Sequence, residues 1–336
     1  MHRYVRDLSH GDTVEDVYLV TDKQLRANRN GNLYLQVELR DKTGIISSRL
    51  WNASEAIYRS FNDGDFVTVV GKVQLFQGAP QMILSNISRA VRQHLDLGDY
   101  LQQTPRDRDK LLARMKEVLF GIGNPPLRAL MECFLIDEEF VDRLISAPAG
   151  IKNHHAYVGG LAEHIVNLLE TAQRILDLYP AVDPDLLLAG IFLHDIGKVH
   201  ELSYDNAFRY TDEGQLLGHL VIGVEMLSAR ARQSEELTGE PFPHELLLRL
   251  KHMIVSHHGS YEFGSPKLPM TPEAIALHHL DNLDAKVHNF EQQITGDPNQ
   301  DSAWTTYDAS LGRKLFKGSV EQRGLAASHV AEPAKV

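Results

Sequence analysis

The sequence predicts two architectures in one chain: a small five-stranded β-barrel, then an all-α helical bundle, together a multidomain α and β protein. Three observations carry that reading. Residues 1–90 hold short apolar/polar alternations separated by turn residues. From about residue 104 to 290, helical periodicity runs almost without a strand. The charge divides at the same place: residues 1–90 carry 11 Lys/Arg against 10 Asp/Glu, and residues 91–336 carry 23 against 35.

In the first part, "NLYLQVEL" puts Leu33, Leu35, Val37 and Leu39 on one face. "FVTVVGKVQLF" and "QMILSNI" are further strand-like runs. Asn30-Gly31, Lys42-Thr43-Gly44, Asp63-Gly64 and Gln77-Gly78 are the turns between strands. A short helical patch, about Glu55 to Phe61, falls between the third and fourth strands. On "GNLYLQVELRDKTGIISSRLW" and "GDFVTVVGKVQLFQGAPQMIL", this half resembles the OB-fold of the anticodon-binding type. The resemblance implies a barrel that holds single strands with basic and aromatic side chains. Lys23, Arg26, Arg29, Tyr34, Arg49, Trp51 and Phe76 are the residues expected to do so. The alternative puts Tyr34 and Phe76 in the barrel core and leaves the arginines as solvated surface.

Residues 91–103 read as a linker. Thr104-Pro105 and Asn124-Pro125 are expected helix starts, cap followed by proline. Residues 91–150 form the linker and a helical extension, 151–316 the rest of the bundle, and 317–336 a small, polar tail expected to be disordered. The 104–150 helices offer surface that leads us to expect a homo-oligomer. A single cysteine, Cys133, excludes an internal disulfide and a thiolate metal cluster. The start "MHRYVRDLSHGD" lacks an apolar core, and no apolar run approaches about 18 residues, so a cytoplasmic protein with no membrane span is expected.

Five helical sites place His or Asp where apolar residues are expected. His164 shares a face with Leu161 and Leu168, and His194-Asp195 end the apolar run "LLLAGIFLHDIGKVHEL", whose helix starts at Asp183-Pro184. His219 lies in "LLGHLVIGVEML". His257 follows the stripe of Leu250, Met253 and Ile254, with His258 next to it, and Asp281 shares the stripe of Ala274, Leu277 and Ala285. An unpaired buried polar group costs about 1–3 kcal/mol, and a buried charge more. One such residue is ordinarily a satisfied core histidine; five together are accounted for at once by shared cations, which pair carboxylates and accept imidazole lone pairs.

The ordered set His164, His194-Asp195, His219, His257-His258, Asp281 resembles the HD-domain phosphohydrolases, in particular their two-metal branch. The resemblance implies that His164, His194, Asp195 and Asp281 hold one metal and that His219, His257 and His258 hold a second, with Asp195 bridging. It also implies two divalent ions; a His/Asp ligand set suits Mn²⁺, with Co²⁺, Fe²⁺ or Zn²⁺ as alternatives. Asp195 is then catalytic through the ions, Lys198 meets a phosphate oxygen, and Gly197 ends the helix so that the chain turns beside the metals. His154 and His155, in "AGIKNHHAYVGG", are expected to line a substrate pocket. His252 is read as structural, and His278 and His288 as structural or as partners of the ligands.

A barrel of this type joined to such a bundle resembles the bacterial YhaM-type 3′→5′ exoribonucleases, over about residues 5–315. The matching stretches are "HHAYVGGLAEH", "EGQLLGH", "LKHMIVSHHGSYEFGSPKLPM" and "LHHLDNLDAKV". The resemblance implies a Mn²⁺- or Co²⁺-dependent nuclease that releases 5′-nucleotides from the 3′ end of single-stranded RNA or DNA. Two rivals remain. Cyclic-nucleotide phosphodiesterases with two metals carry an acidic residue and Gly-Tyr-Pro after the paired histidines, where this chain has "HHGSYEFGSP". A regulatory nucleic-acid-binding protein would carry a vestigial site.

Overall fold

The computed structural model describes residues 2–318, apart from 29, 77–78, 92–94, 152–154, 205–207, 298, 300, 309–310 and the side chain of 97. Arg29 and His154, both expected to touch substrate, lie outside the described residues, as does the tail from 319.

Strands β1 (Thr13–Ala27), β2 (Leu33–Asp41), β3 (Gly44–Trp51), β4 (Phe66–Phe76) and β5 (Ala79–Arg89) close into a barrel in the order β1-β2-β3-β5-β4. The β3–β5 pair is parallel and makes the closure. One long strand serves two partners: β1 pairs with β4 through Thr13–Leu19 and with β2 through Leu19–Ala27. A register shift between Val20 and Asp22 bends it at the changeover. Leu35, Val37 and Leu39 fill the interior with Val14, Tyr18, Val69 and Met82. Leu33 starts β2 and is exposed, so the expected stripe begins one step later. Helix α1 (Glu55–Arg59), N-capped by Ser54, plugs the barrel with Ile57 and Tyr58 where a helix was expected.

The segment read as a linker is packed. Tyr100 and Leu101 are buried against Leu19 and Phe66 of the barrel and against Phe208. The first bundle helix, α2 (Arg108–Phe120), starts three residues beyond the expected proline, because Asp107 and not Thr104 caps it. Thr104 instead donates from its hydroxyl to Glu163. Asn124 and Asp183 do cap α3 (Pro125–Leu135) and α6 (Pro184–Leu193).

Helices α2, α3, α4 (Glu138–Leu144), α5 (Gly160–Ile175), α6, α8 (Asp212–Thr238), α9 (His244–Ser256) and α10 (Pro272–Thr295) share one apolar core, and the short α7 (Lys198–Glu201) adds Val199. Leu111, Met115, Leu127 and Leu130 lie inside it, so the 104–150 helices are part of the bundle. A two-stranded ribbon, β6 (Leu202–Ser203) and β7 (Arg209–Tyr210), interrupts the helices. Helix α8 breaks at Gly218 (φ 73°, ψ 159°), a conformation closed to side-chain-bearing residues. Lys317, assigned to the disordered tail, is buried and paired with Asp297 at 2.7 Å. No helix among the described residues is long and apolar enough to cross a membrane.

Candidate metal centre and nucleic-acid interface

Helix α6 is apolar on every side and buried from Leu186 to Leu193. His194 is its C-cap, and Nδ1–H of His194 donates to Ile191 O at 2.7 Å. That bond satisfies a carbonyl left over by the helix end and turns Nε2 inward. Helix α9 ends in the same way: His257 is the C-cap and donates from Nδ1 to Ile254 O at 2.8 Å. The other two imidazoles are oriented by carboxylates. His164 donates from Nδ1 to Asp284 at 2.7 Å, and His219 from Nδ1 to Glu201 at 3.0 Å. The break at Gly218 frees the backbone N–H of His219, which donates to the same Glu201 oxygen at 3.0 Å.

The inward atoms converge on Asp195. His164 Nε2 is 3.3 Å from His194 Nε2, 3.3 Å from Asp281 Oδ1 and 4.0 Å from Asp195 Oδ2. His194 Nε2 is 3.3 Å from Asp195 Oδ2. On the other side, His219 Nε2 and His257 Nε2 lie 3.5 and 3.6 Å from Asp195 Oδ1. One ligand atom each of His219, His257 and His258 lies within 4.8 Å of the other two. Thus each carboxylate oxygen of Asp195 faces its own group of imidazoles.

Asp195 Oδ1, His219 Nε2 and His258 Nδ1 are buried without a hydrogen-bond partner. Such orphans are costly, and a cation among them would satisfy all three. Burial pushes the His257 imidazole well below its ordinary pKa and the His258 imidazole down, which leaves lone pairs for a metal. Burial opposes charge on His164 too, but Asp281 and Asp284 outweigh it and lift its pKa to about 9. The same two carboxylates favour any cation at that position. Burial would raise the Asp195 pKa; the Lys198 and His194 charges instead hold it well below the ordinary range. The donor set therefore fits divalent ions.

Lys198 Nζ sits 2.6 Å from Asp195 Oδ2 and is largely buried. Gly197 has ordinary helical angles, so it does not end a helix through a left-handed turn. It is glycine because a Cβ would lie 2.1 Å from His219 O. His155 is buried, not pocket-lining: its ring bonds Tyr157 at 2.7 Å and Asp284 at 2.9 Å, and His288 stacks on it at 3.9 Å. His278 donates from Nδ1 to His257 O at 2.8 Å. Asp284 and Glu201, which orient two of the candidate ligand histidines, were missed from the sequence. Their signal was spacing, Asp284 one turn beyond Asp281 and Glu201 one turn beyond Lys198.

The barrel carries a second constellation. Tyr34 and Trp51 are opposite each other in register, with ring centroids 5.1 Å apart. The Arg49 guanidinium lies 5.9 Å from each of these rings and 5.4 Å from Phe76. Arg49 Nε has no hydrogen-bond partner. Trp51 and Phe76 are both 44% exposed, and neither Tyr34 nor Phe76 is core. Arg26 is exposed, opposite Tyr34, with its guanidinium on Gln24. Lys23 departs from expectation: its ammonium donates to the Tyr58 and Phe61 carbonyls and caps α1.

A barrel with exposed rings, joined in one chain to a helical His/Asp centre, defines a nucleic-acid-binding phosphohydrolase, and the comparisons agree domain by domain. The OB-fold nucleic acid binding domain family matches residues 19–90, and the HD domain family matches residues 161–286. Over 288 residues the chain is 38% identical to the 3′-5′ exoribonuclease YhaM of Bacillus subtilis, covering 84% of this chain and 88% of that one. The YhaM enzyme of a Geobacillus species is 36% identical over 281 residues, 83% of this chain and 84% of that one. The chain belongs to the YhaM family of 3′-5′ exoribonucleases.

Proposed function

We propose that this chain shortens single-stranded RNA from its 3′ end to 5′-mononucleotides, with the hydrolytic centre at Asp195 and the strand held by the barrel. As a member of its family it is a metal-dependent 3′-5′ exoribonuclease. The observation that carries the residue assignment is Asp195 itself: it is buried, with one oxygen toward His164 and His194 and the other, unpaired, toward His219 and His257.

His164, His194, Asp195 and Asp281 would hold one divalent ion, and His219, His257, His258 and Asp195 a second; Mn²⁺ suits the mixed N/O donors. Ions bound there activate water and neutralise phosphoryl charge. The chain's own groups do the rest. The Ile191 and Ile254 carbonyls and the Asp284 and Glu201 carboxylates fix four ring orientations before substrate arrives. Lys198 holds Asp195 ionised and sets a positive charge at the edge of the centre, where it would offset charge on a non-bridging phosphate oxygen. Buried α6 keeps water from the back of the site.

The test is a 5′-labelled single-stranded oligoribonucleotide incubated with Mn²⁺. A ladder of 3′-shortened products that vanishes on chelation is expected. Release of label as a mononucleotide at the first step, or turnover of cyclic dinucleotides in its place, would refute the reading.

A further inference from the structure

Beyond the helices, the described residues between 297 and 317 (all but 298, 300, 309 and 310) form a clasp. Asp297 is its anchor. Its carboxylate takes the Lys317 ammonium at 2.7 Å and the backbone N–H of Thr306 at 2.8 Å. Thr305 N donates to Leu315 O at 2.8 Å, Lys317 N to Ala303 O at 2.7 Å, and Leu315 is buried. On this frame three large rings stand in water: Trp304 is 49% exposed, Phe316 60% and Tyr307 62%. Trp304 and Phe316 face each other across an isolated antiparallel bridge, with centroids 5.0 Å apart. The Arg313 guanidinium lies 5.5 Å over Phe290, and Lys314 is exposed beside it. Residues 297–317 carry Arg313, Lys314 and Lys317 against Asp297, Asp301 and Asp308; Lys317 is paired with Asp297, which leaves Arg313 and Lys314 as the exposed cations.

The composition and spacing repeat those of the barrel surface, where Tyr34 and Trp51 are 5.1 Å apart with a guanidinium alongside. Exposed apolar rings gathered on a hydrogen-bonded frame are the kind of surface that marks an interaction site. The exposed Arg313 and Lys314 offer partners to phosphates, and the exposed rings offer faces to bases. The clasp also adjoins the domain junction. Gln292, Thr295 and Gly296, just before it, face Arg40, Lys42 and Ile45 of the barrel across a cleft of about 850 Å³.

We propose that the clasp is a second stacking platform for single-stranded RNA, with Trp304 and Phe316 taking bases and Arg313 and Lys314 taking phosphates. The proposal rests on the nuclease reading and adds a site to it. A strand engaged by both barrel and clasp is held at two places on the enzyme.

The chain has two tryptophans, one on each platform, so each reports separately. Trp51→Phe leaves Trp304 as sole emitter, and Trp304→Phe leaves Trp51; both keep a stacking ring. Each variant is titrated with a long single-stranded oligoribonucleotide whose 3′ end is protected by phosphorothioate linkages. Quenching of Trp304 that saturates with the oligonucleotide is expected, and Trp304→Ala should weaken binding of the long strand about five- to 150-fold, as about 1–3 kcal/mol per stacked base implies. If Trp51 is quenched and Trp304 is not, the clasp is no RNA platform while the barrel reading survives. If neither responds although the strand binds, both fail. If Trp304 emission instead follows protein concentration without RNA, a second copy of the chain covers the clasp and the proposal is overturned.

Discussion

Asp284 Oδ2 lies 2.7 Å from Nδ1 of His164, and the same oxygen takes the His155 ring at 2.9 Å. One carboxylate, outside the proposed inward ligands, thus fixes the orientation of His164, the first candidate ligand histidine. Partners of this kind typically contribute 10–100-fold to metal affinity. Asp284→Ala should therefore raise the Mn²⁺ concentration for half-maximal activity about 10–100-fold, with much of the rate recovered at saturating metal. Activity measured against metal concentration checks this. An unchanged midpoint would mean that packing alone orients His164.

Gly197 gives a second outcome. Its Cα is pressed against the His219 backbone, where a Cβ would sit 2.1 Å from the carbonyl oxygen and 2.9 Å from Gly223 N. Both neighbours are backbone, so neither can swing away. Gly197→Ala should cost about 1–3 kcal/mol of stability, as overpacking does, and displace His219. Urea unfolding reads the first effect and metal content the second. A variant with wild-type stability and full metal content would contradict the geometry.

The barrel surface is expected to act on long strands only. Tyr34 and Trp51 pair at one end of the β2–β3 hairpin, whereas Asp41 and Gly44 pair at the other, where Lys42 N–H donates to Asp99 of the connecting segment. Seven residues separate Tyr34 from Asp41, about 23 Å of strand. A dinucleotide is much shorter than that stretch of strand, so one bound at the proposed metal centre is not expected to touch the rings. Arg49→Ala with Trp51→Ala should weaken binding of a long single strand by tenfold or more, about 1–3 kcal/mol per lost base contact, and leave dinucleotide turnover nearly unchanged. Equal losses on both substrates would mean that the barrel shapes the active site.

Asp41 sets an acid limit on barrel stability. Burial would raise its pKa, but bonds from His2, Thr43 and the Val5 backbone bring it below the ordinary carboxylate value. A carboxyl depressed in the folded state stabilises fully above its unfolded pKa, about 3.9, and the contribution is lost as pH falls through the lower folded value. Asp41→Asn should thus destabilise the protein at neutral pH by about 1–3 kcal/mol, with the gap closing as pH falls below about 4. Denaturant unfolding between neutral and acid pH measures it; a gap that widens toward acid would contradict the assignment.

Much of this was legible in the sequence because it rests on local period. Leu35, Val37 and Leu39 alternate, and His164, His194 and Asp281 interrupt apolar stripes, so strands and inward-facing polar residues could be found without tertiary knowledge. What escaped depends on contacts between distant segments. Thr104 looks like a cap, yet Glu163 takes its hydroxyl and the helix waits for Asp107. Lys23 looks like a strand-binding cation, yet two carbonyls of α1 hold its ammonium. Lys317 looks like tail, yet Asp297 draws it inside. Gly197 was read as a turn residue, and only the approach of His219 shows why it is small. Tyr34 left two readings open, and the register with Trp51 puts it on the outer face.

In the proposed centre Asp195 serves both halves, one oxygen for each group of imidazoles. Asp195→Asn keeps the shape and removes the charge that both imidazole groups share. Metal content of the purified variant, determined beside its rate on 5′-labelled single-stranded RNA at saturating Mn²⁺, tests this most directly. Fewer bound ions per chain, a rate lower by about 100-fold or more, and a fold retained by circular dichroism are expected. Near-wild-type hydrolysis with a full complement of metal would contradict it.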